Sequence, residues 1–425
     1  MLTREPSTTR LRARLLPLYA AIGLQGFSLW VPVEKLFMSE IGFDPVTVGV
    51  MAAAYSALVP LVEVPSGVLA DRWSRRGVLV LASAALALTA LLGGLSTTVP
   101  MYIASAMVLG VYFALYSGTM DAIVYDTVIE ETGSSECFER LIGKIRIAES
   151  VTLVTSSLAG GWIANLTAPR VTYFMTVPFA VLSVVALLRF REPQLHKTDE
   201  AVPLRRQLAT TYRTLLGGRN LLPIVLLSVL TALIMQTVFE FGPLWLVAQA
   251  VPAVAYGPYW AMLVSTLGLG GALASRLPLD RRGSTGVAVG VMVLAAATLT
   301  TNAHVIGVVI AQVVLMTLVG IAGIQITHRL HDAVPSAVRS GVASGVGAMS
   351  WIVFLPFALG TGVVTRSYSV QSAGMMITAV AVLTGLLWVS VTARRSARPV
   401  PAEADQALER MPASDCRAVL AGVAS

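Results

Sequence analysis

Charged residues are scarce in this sequence. Only 12% of its 425 residues are Asp, Glu, Lys or Arg, whereas 56% are hydrophobic, and the mean hydropathy is +0.76. Soluble domains carry roughly twice that share of charge. The composition therefore excludes a soluble enzyme and predicts a chain that lies in a lipid bilayer.

Cysteine and histidine are scarce as well. The two cysteines, Cys137 and Cys416, are expected to be free thiols rather than a disulfide framework. The four histidines are scattered and show no metal-ligand spacing. A G-x-x-x-x-G-K-[ST] phosphate loop is missing, which disfavours an ATP-driven pump. We therefore expect no enzymatic activity, no metal and no cofactor.

Long apolar segments fill most of the chain. A helix that crosses a bilayer needs about 20 mostly apolar residues, and the sequence predicts twelve such spans. They are Leu15–Met38, Val46–Ala70, Val78–Leu95, Pro100–Val128, Leu141–Leu166, Val171–Leu188, Leu221–Ala248, Ala253–Ala274, Gly286–Thr301, Val305–Thr327, Gly341–Thr365 and Val370–Val391.

The distribution of basic residues predicts the orientation. Twelve crossings put both termini on one side, and with the termini in the cytoplasm only Lys35, Arg170 and Arg366 of the 30 Lys and Arg residues lie outside. Cytoplasmic loops are rich in Lys and Arg. The net charge of +7 therefore indicates topology rather than nucleic-acid binding, and we expect a multi-pass protein of a bacterial cytoplasmic membrane.

The chain reads as two related halves. "GVLADR" (Gly67–Arg72) ends the second span and "GALASR" (Gly271–Arg276) ends the eighth, and an Arg-Arg-Gly sequence follows each of them. This order is typical of parallel repeats of six helices. We predict a cytoplasmic segment at 1–14, a six-helix half at 15–190, a cytoplasmic linker at 191–219, a second half at 220–393 and a cytoplasmic tail at 394–425.

Ionisable residues within the spans follow a period of three. Spans three, six, nine and twelve hold none between their ends and are expected to face lipid, whereas spans one, four, seven and ten can face a central cavity. Glu149 is expected near the bilayer centre, with Glu34 and Glu240 roughly 10 Å further outside. A carboxyl group at such depth can bind and release a proton. The candidates for proton coupling are Glu149, Asp121, Glu240, Glu34 and Glu63.

The same acids have structural alternatives, because Arg146 and Glu149 are spaced to form an ion pair on one helix face. Acids with few buried bases favour a neutral or cationic amphipathic substrate over an anion. Candidates for hydrogen bonding or stacking in the cavity are Gln25, Tyr116, Gln236, Trp245, Gln312 and Gln325.

The stretch "GVLADRWSRRG" concentrates four charges at the end of the second span. Its pattern G-x-x-x-D-R-x-x-R-R resembles the signature loop of the major facilitator superfamily, although Ser74 stands where that family often has Gly. The resemblance implies transport by alternating access, a working monomer, and a close partner for Gly67 in span eleven, where "GVASGVG" is equally small. The predicted conformational latch consists of Gly67, Asp71, Arg72, Arg75, Arg76 and Asp126. The alternative is that these charges only orient the helix hairpin.

Direction of transport is not encoded in these patterns. Span four lacks the arginine, and span five the Gly-Pro, that many drug exporters of this superfamily carry, so the resemblance to them is partial. The favoured function is proton-coupled efflux of a small amphipathic compound. The alternatives are uptake of a nutrient or metabolite, by symport or facilitated diffusion, and a membrane module that transports nothing.

Overall fold

Apolar segments of this length become helical because a backbone in lipid must satisfy its own hydrogen bonds. The computed structural model of the protein describes residues 7–116, 119–132, 138–193, 221–274, 276–277, 279, 282–301, 304–333 and 339–396. Those residues form helices and connecting turns without any β-strand. The expected all-α class is confirmed for the described chain.

The helices of the first half are α1 (Ser7–Gly26), α2 (Glu34–Glu40), α3 (Pro45–Arg72), α4 (Arg75–Leu95), α5 (Val99–Tyr116), α6 (Thr119–Thr132), α7 (Phe138–Leu166) and α8 (Pro169–Arg189). Those of the second half are α9 (Leu222–Phe241), α10 (Leu244–Ala248), α11 (Ala253–Ala274), α12 (Arg282–Thr298), α13 (Val305–Asp332), α14 (Arg339–Ser367) and α15 (Val370–Ser396).

Many of these helices are long and apolar enough to cross a membrane. Within the described residues nine stretches qualify, and α12 is apolar but shorter. The nine are Ala13–Glu40, Pro45–Gly67, Arg75–Leu95, Val99–Thr132, Pro169–Arg189, Leu222–Ala248, Val305–Leu330, Ser344–Ser367 and Val370–Ala393. The protein is therefore a multi-pass membrane protein, and twelve crossings stay a prediction.

The first membrane segment of each half is interrupted. A 3₁₀ turn at Val31–Val33 separates α1 from α2, and Gly242 and Pro243 separate α9 from α10. Proline lacks a backbone N–H and cannot continue the preceding helical ladder. As a result Glu34 begins α2 and Glu240 is the next-to-last residue of α9, so both acids lie at a break.

The two halves touch backbone to backbone on one side of the bundle. We call the side where α1 begins and α15 ends the terminal side, and the opposite side the far side. Near the far side, a Cβ atom at Gly161 of α7 would lie 2.6 Å from the amide nitrogen of Gly257 in α11. A Cβ atom at Gly49 of α3 would lie 2.6 Å from the carbonyl oxygen of Ala358 in α14. Residues without side chains allow this approach.

The apolar cores show the same division. One core unites both halves and includes Phe37 of α2 and Trp245 of α10. Towards the terminal side each core belongs to one half, as with Ile145 and Phe190 in the first half and Leu330 in the second. The halves are therefore packed together on the far side and separate towards the terminal side.

Gly67 does not make the close contact that was expected of it. It is exposed, and a Cβ atom there would meet no described atom within 4 Å. The contact between α3 and α14 is made instead at Gly49 and Gly362. A Cβ atom added to Gly362 would lie 2.5 Å from the carbonyl oxygen of Pro45. The expectation is wrong for this conformation because the halves diverge before they reach Gly67.

The helices that were expected to face lipid expose apolar side chains. They are α4, α8, α12 and α15, with Leu88, Leu182, Val287 and Leu386 all between 45% and 70% exposed. Leucine and valine have no polar group to satisfy in hydrocarbon. These four helices thus form part of the outer surface of the bundle.

The glycine contact on the far side can be tested within one helix. Gly257→Ala places a methyl group 2.7 Å from the carbonyl oxygen of Ser157, whereas Gly268→Ala meets no described atom within 4 Å. Because α7 and α11 must then shift apart, we expect Gly257→Ala to lower the free energy of unfolding by about 1–3 kcal/mol. Gly268→Ala should leave it unchanged or raise it by up to about 1 kcal/mol. Thermal unfolding of the purified protein in detergent measures both, and equal melting temperatures would contradict the contact.

Candidate functional site

A cavity of about 590 Å³ lies between the two halves. Its lining comes from the helices α1 to α5 and α7 of the first half and from α9, α11 and α14 of the second. The volume is in the range of small-molecule sites. Span ten was expected to line it, but no described residue of α13 does so, and we correct that expectation.

Aromatic rings form much of the cavity wall. Phe239 and Trp260 stack with their centroids 5.6 Å apart, and Tyr55 meets Trp351 edge to face at 5.9 Å. The second contact joins α3 of one half to α14 of the other. Such faces bind apolar and cationic groups through dispersion and cation–π attraction.

The ionisable groups of the cavity wall are acidic. Glu34, Glu149 and Glu240 line it, and no Lys or Arg does so among the described lining residues. These three acids were among the five candidates for proton coupling. An acidic lining in a mostly apolar cavity attracts cations and disfavours anions.

Lys35 joins the two halves behind this wall. Its ammonium group donates to Glu240 Oε1 at 2.5 Å and lies 3.2 Å from Glu34 Oε2. The Lys35 side chain is 1% exposed, and those of Glu34 and Glu240 are 15% and 10% exposed. Two carboxylates share one ammonium, so the fully ionised Glu34–Lys35–Glu240 cluster carries one net negative charge, which one added proton would neutralise.

Tyrosines complete the hydrogen bonds of the two carboxylates. Tyr55 donates to Glu240 Oε2 at 2.9 Å, and Tyr102 donates to Glu34 Oε1 at 3.1 Å. The hydroxyl groups of Tyr102 and Tyr173 lie 2.6 Å apart, so Tyr173 donates to Tyr102. Buried charges are tolerated when they are paired and hydrogen-bonded in this way.

Three further candidates also line the cavity. Tyr116 donates to Glu149 Oε1 at 2.5 Å, which links α5 to α7. Gln25 donates to Ser83 Oγ at 2.8 Å. Gln236 lines the cavity, and its side-chain oxygen is buried without a hydrogen-bond partner within the described residues.

Three other candidates lie elsewhere. Trp245 is 1% exposed in the core that both halves share. Gln312 accepts from Tyr259 at 2.6 Å and donates to the carbonyl of Gly242, so it supports the break after α9. Gln325 donates to two carbonyls in the turn after α11, those of Ala274 and Leu277. None of the three lines the cavity, because Trp245 packs in the shared core and the two glutamines bond to a neighbouring helix or loop instead.

Asp121 and Glu63 do not line the cavity. Asp121 lies in the first turn of α6 and Glu63 in α3, and both are half-buried. Their part in proton coupling stays a prediction without a cavity contact to support it.

The predicted latch is described only in part. Arg75 pairs with Asp126 of α6 and donates to the carbonyl of Ala122 at 3.3 Å. The side chains of Asp71 and Arg72, at the end of α3, lie outside the described residues, as does that of Arg146. The role of these charges as a latch therefore stays a prediction.

Glu192 is a partner that the sequence did not reveal. It follows α8 and accepts from the backbone N–H of Arg75 at 2.6 Å and from Ser74 Oγ at 2.6 Å. A carboxylate at a helix N-terminus satisfies free N–H groups and complements the helix dipole. The guanidinium of Arg76 donates to the carbonyl of Phe190 at 3.2 Å, so the described contacts of this loop remain within the first half.

The sequence held one usable signal for the Glu34–Lys35–Glu240 cluster. Glu34 and Glu240 were expected at the same depth, one in each half, and Lys35 is the single basic residue beside either of them. Nothing distinguished Tyr55, Tyr102 or Trp351 from other aromatics, because aromatic residues in helices usually serve packing.

Two helical halves around one central cavity define the architecture of a membrane transporter. In agreement, the profile of the Major Facilitator Superfamily matches residues 15–361. The chain therefore belongs to the Major Facilitator Superfamily.

Proteins similar to this chain are named for different roles. Multidrug resistance protein 1 of Bacillus subtilis (strain 168) is 24% identical over 182 residues, which span 43% of this chain and 45% of that relative. The match covers less than half of the relative's length. The solved structure of the nucleoside transporter NupG has a TM-score of 0.71 at 13% identity and covers 90% of this chain and 98% of its own. A D-xylose-proton symporter has a TM-score of 0.69 at 14% identity, covering 88% and 96%. At these identities the structures show the fold alone.

The contribution of the Glu34–Lys35–Glu240 cluster to stability can be compared with that of another cavity acid, Glu149. Glu240→Gln keeps the side-chain shape but removes the charge that holds Lys35 across the halves, so we expect a loss of about 2–5 kcal/mol. Glu149→Gln removes one hydrogen-bonded charge within the first half and should cost about 1–3 kcal/mol. Thermal unfolding in detergent compares the two variants. A larger loss for Glu149→Gln would show that the ion pair does not stabilise the contact between the halves.

Proposed function

We propose that the protein is a secondary active transporter that exports a small amphipathic compound, cationic or neutral, in exchange for protons. The observation that carries this proposal is the cavity lining, in which three carboxylates and several aromatic rings face the cavity and no described basic side chain does. Such a wall binds a cation or a neutral amphiphile more readily than a phosphate or a carboxylate.

The proposed topology has twelve crossings, with both termini in the cytoplasm of a bacterial cell and the halves at 15–190 and 220–393. The distribution of Lys and Arg supports it. In this orientation the terminal side is cytoplasmic. Because the far side is closed, the cavity then faces the cytoplasm in this conformation. We also propose that the protein works as a monomer.

Alternating access follows from how the halves meet. Their shared core and their glycine contacts lie on the far side. Rocking of one half against the other would open these contacts and bring the terminal sides together. The end of α3, with Gly67 and Asp71, would then approach α14, and the charges from Asp71 to Arg76 would act as the latch of the closed cytoplasmic side.

The proposed substrate site uses the aromatic walls and the acids together. Phe239, Trp260 and Trp351 would hold the apolar body, and the side-chain amide of Gln236 would form a hydrogen bond with a polar group of the substrate. Glu34, Glu149 and Glu240 are the leading candidates for proton binding, because all three line the cavity. The similarity to a multidrug resistance protein supports export without establishing it.

Uptake of a polar metabolite is the second candidate. The amide groups of Gln25 and Gln236 at the cavity wall favour it, because they could bind hydroxyl groups. Solved structures with the same fold include a nucleoside transporter and a sugar–proton symporter.

The direction of transport is tested in bacteria that lack their main efflux pumps. Cells expressing wild type, Glu240→Gln, Glu149→Gln or Asp71→Asn are compared for accumulation of cationic dyes, neutral antibiotics, labelled nucleosides and xylose, with and without a protonophore. We expect wild-type cells to accumulate about tenfold less of at least one cationic compound. The protonophore and Glu240→Gln should both abolish this difference, because each removes the proton side of the exchange.

Two results would decide against export. Greater accumulation of a nucleoside or sugar than in empty-vector cells would establish uptake. A wild type that matches the empty vector for every compound, with the protein present in the membrane, would reject broad export. If Asp71→Asn alone abolished export, the latch would be supported and proton coupling by Glu240 and Glu149 rejected.

A further inference from the structure

A second, smaller cavity lies on the far side of the protein. It has a volume of about 190 Å³ and is lined by residues of α2, α3, α10, α14 and α15 and by Asp44. Ser39 and Ala248 of its lining are exposed at the surface. The smaller cavity is therefore built from both halves, like the central one, but meets the opposite side.

The Glu34–Lys35–Glu240 cluster separates the two cavities. Glu34 and Glu240 line the central cavity, whereas Lys35 lines the smaller one. The Lys35 ammonium reaches Glu240 Oε1 over 2.5 Å. One side chain and one hydrogen bond thus connect the wall of one cavity to the wall of the other.

Lys35 shares the lining of the smaller cavity with other polar residues. Thr365 lines the smaller cavity, and its hydroxyl is buried without a hydrogen-bond partner within the described residues. Buried hydroxyl groups are normally hydrogen-bonded to protein or to water. The Asp44 side chain lies nearer the surface, 35% exposed and 2.9 Å from Arg366. Its pKa is lowered by hydrogen bonds from Thr47 and by Arg366, so it is ionised at neutral pH.

We infer that the Glu34–Lys35–Glu240 cluster is a proton site that is reached from the far face through the smaller cavity, while the substrate reaches the same carboxylates from the central cavity. Lys35 is the positioning residue of this site: it closes the path between the cavities and holds the shared negative charge that one proton neutralises. The inference rests on the proposed proton coupling, and it adds the route.

Other charged and titratable groups around the cluster fit this role. Tyr55, Tyr102 and Tyr173 face the carboxylates from α3, α5 and α8 and remain neutral donors at physiological pH. Arg170 of α8 lies over Phe37 at 5.3 Å and lines neither cavity. Glu40 ends α2 on the far side. Within the described residues, Lys35 and Asp44 are the charged groups that line the smaller cavity.

A proton leak tests the barrier without any substrate. The full chain is reconstituted into liposomes that contain a pH-sensitive dye, and the decay of an imposed pH gradient is followed. Lys35→Ala should accelerate the decay about tenfold over wild type, because water can then connect the two cavities. Ala248→Trp, added to Lys35→Ala, should restore the slow decay by filling the smaller cavity.

Arg170→Ala is the matched control, because it also removes a far-side cation but lies outside both cavity linings. In liposomes with Arg170→Ala the pH gradient should decay at the wild-type rate. Equal decay for wild type, Arg170→Ala and Lys35→Ala would overturn the inference. So would a fast decay of Lys35→Ala that Ala248→Trp does not slow, since the protons would then follow another path.

Thiol labelling tests the smaller cavity with Lys35 intact. The native cysteines, Cys137 and Cys416, are replaced by serine, and Thr365→Cys is compared with Thr384→Cys. Both threonines are buried, but only Thr365 lines the smaller cavity. A small, charged, membrane-impermeant methanethiosulfonate should label Thr365→Cys about tenfold faster, because it enters with water. Equal rates would show that no water path reaches the cluster from the far face.

The two proposals fail in different ways. Export is judged by accumulation in cells, whereas the route is judged by proton decay and labelling in liposomes, neither of which needs a substrate. A leak and rapid labelling in a protein that exports nothing would support the route and reject export. Export without leak or labelling would support the proposed function and overturn the route.

Discussion

The ion pair between Lys35 and Glu240 is the contact on which the arrangement of this protein depends. Charges within a membrane are costly unless they are paired and hydrogen-bonded, and here the partners come from different halves. The pair lies at both helix breaks, because Glu34 and Lys35 begin α2 and Glu240 is the next-to-last residue of α9. It also requires the far side to be closed. The ion pair, the two helix breaks and the separation of the two cavities therefore depend on one another.

Much of the fold could be predicted from the sequence. Scarce charge and long apolar runs indicated an all-helical membrane protein, and the Gly67–Gly77 stretch indicated its family. Individual side chains were harder to place. Gln25 lines the cavity, whereas Gln312 supports a helix break. Both are amides in apolar helices, and both have small or apolar residues on either side. Which way each one faces is decided by contacts between distant helices, and these leave no local pattern.

The described contacts that hold the loop after α3 and the turn after α11 involve different residue types. After α3, the loop is held by the ion pair of Arg75 with Asp126 and by the Glu192 carboxylate. After α11, the corresponding turn is held by the neutral amide of Gln325 and by Arg329, which donates to a backbone carbonyl. Arg329 is itself charged, so among the described residues both loops combine charged and neutral contacts.

The glycine contacts between the halves have a consequence for how this protein can evolve. Gly161 and Gly257, like Gly49 and Gly362, meet through backbone atoms, so these contacts do not depend on the identity of any side chain in the cavity. Lining residues such as Glu240 and Trp351 also join the halves and are constrained by that role. A lineage with this architecture can vary the lining residues that do not join the halves, and with them what the cavity binds, while the glycine contacts persist.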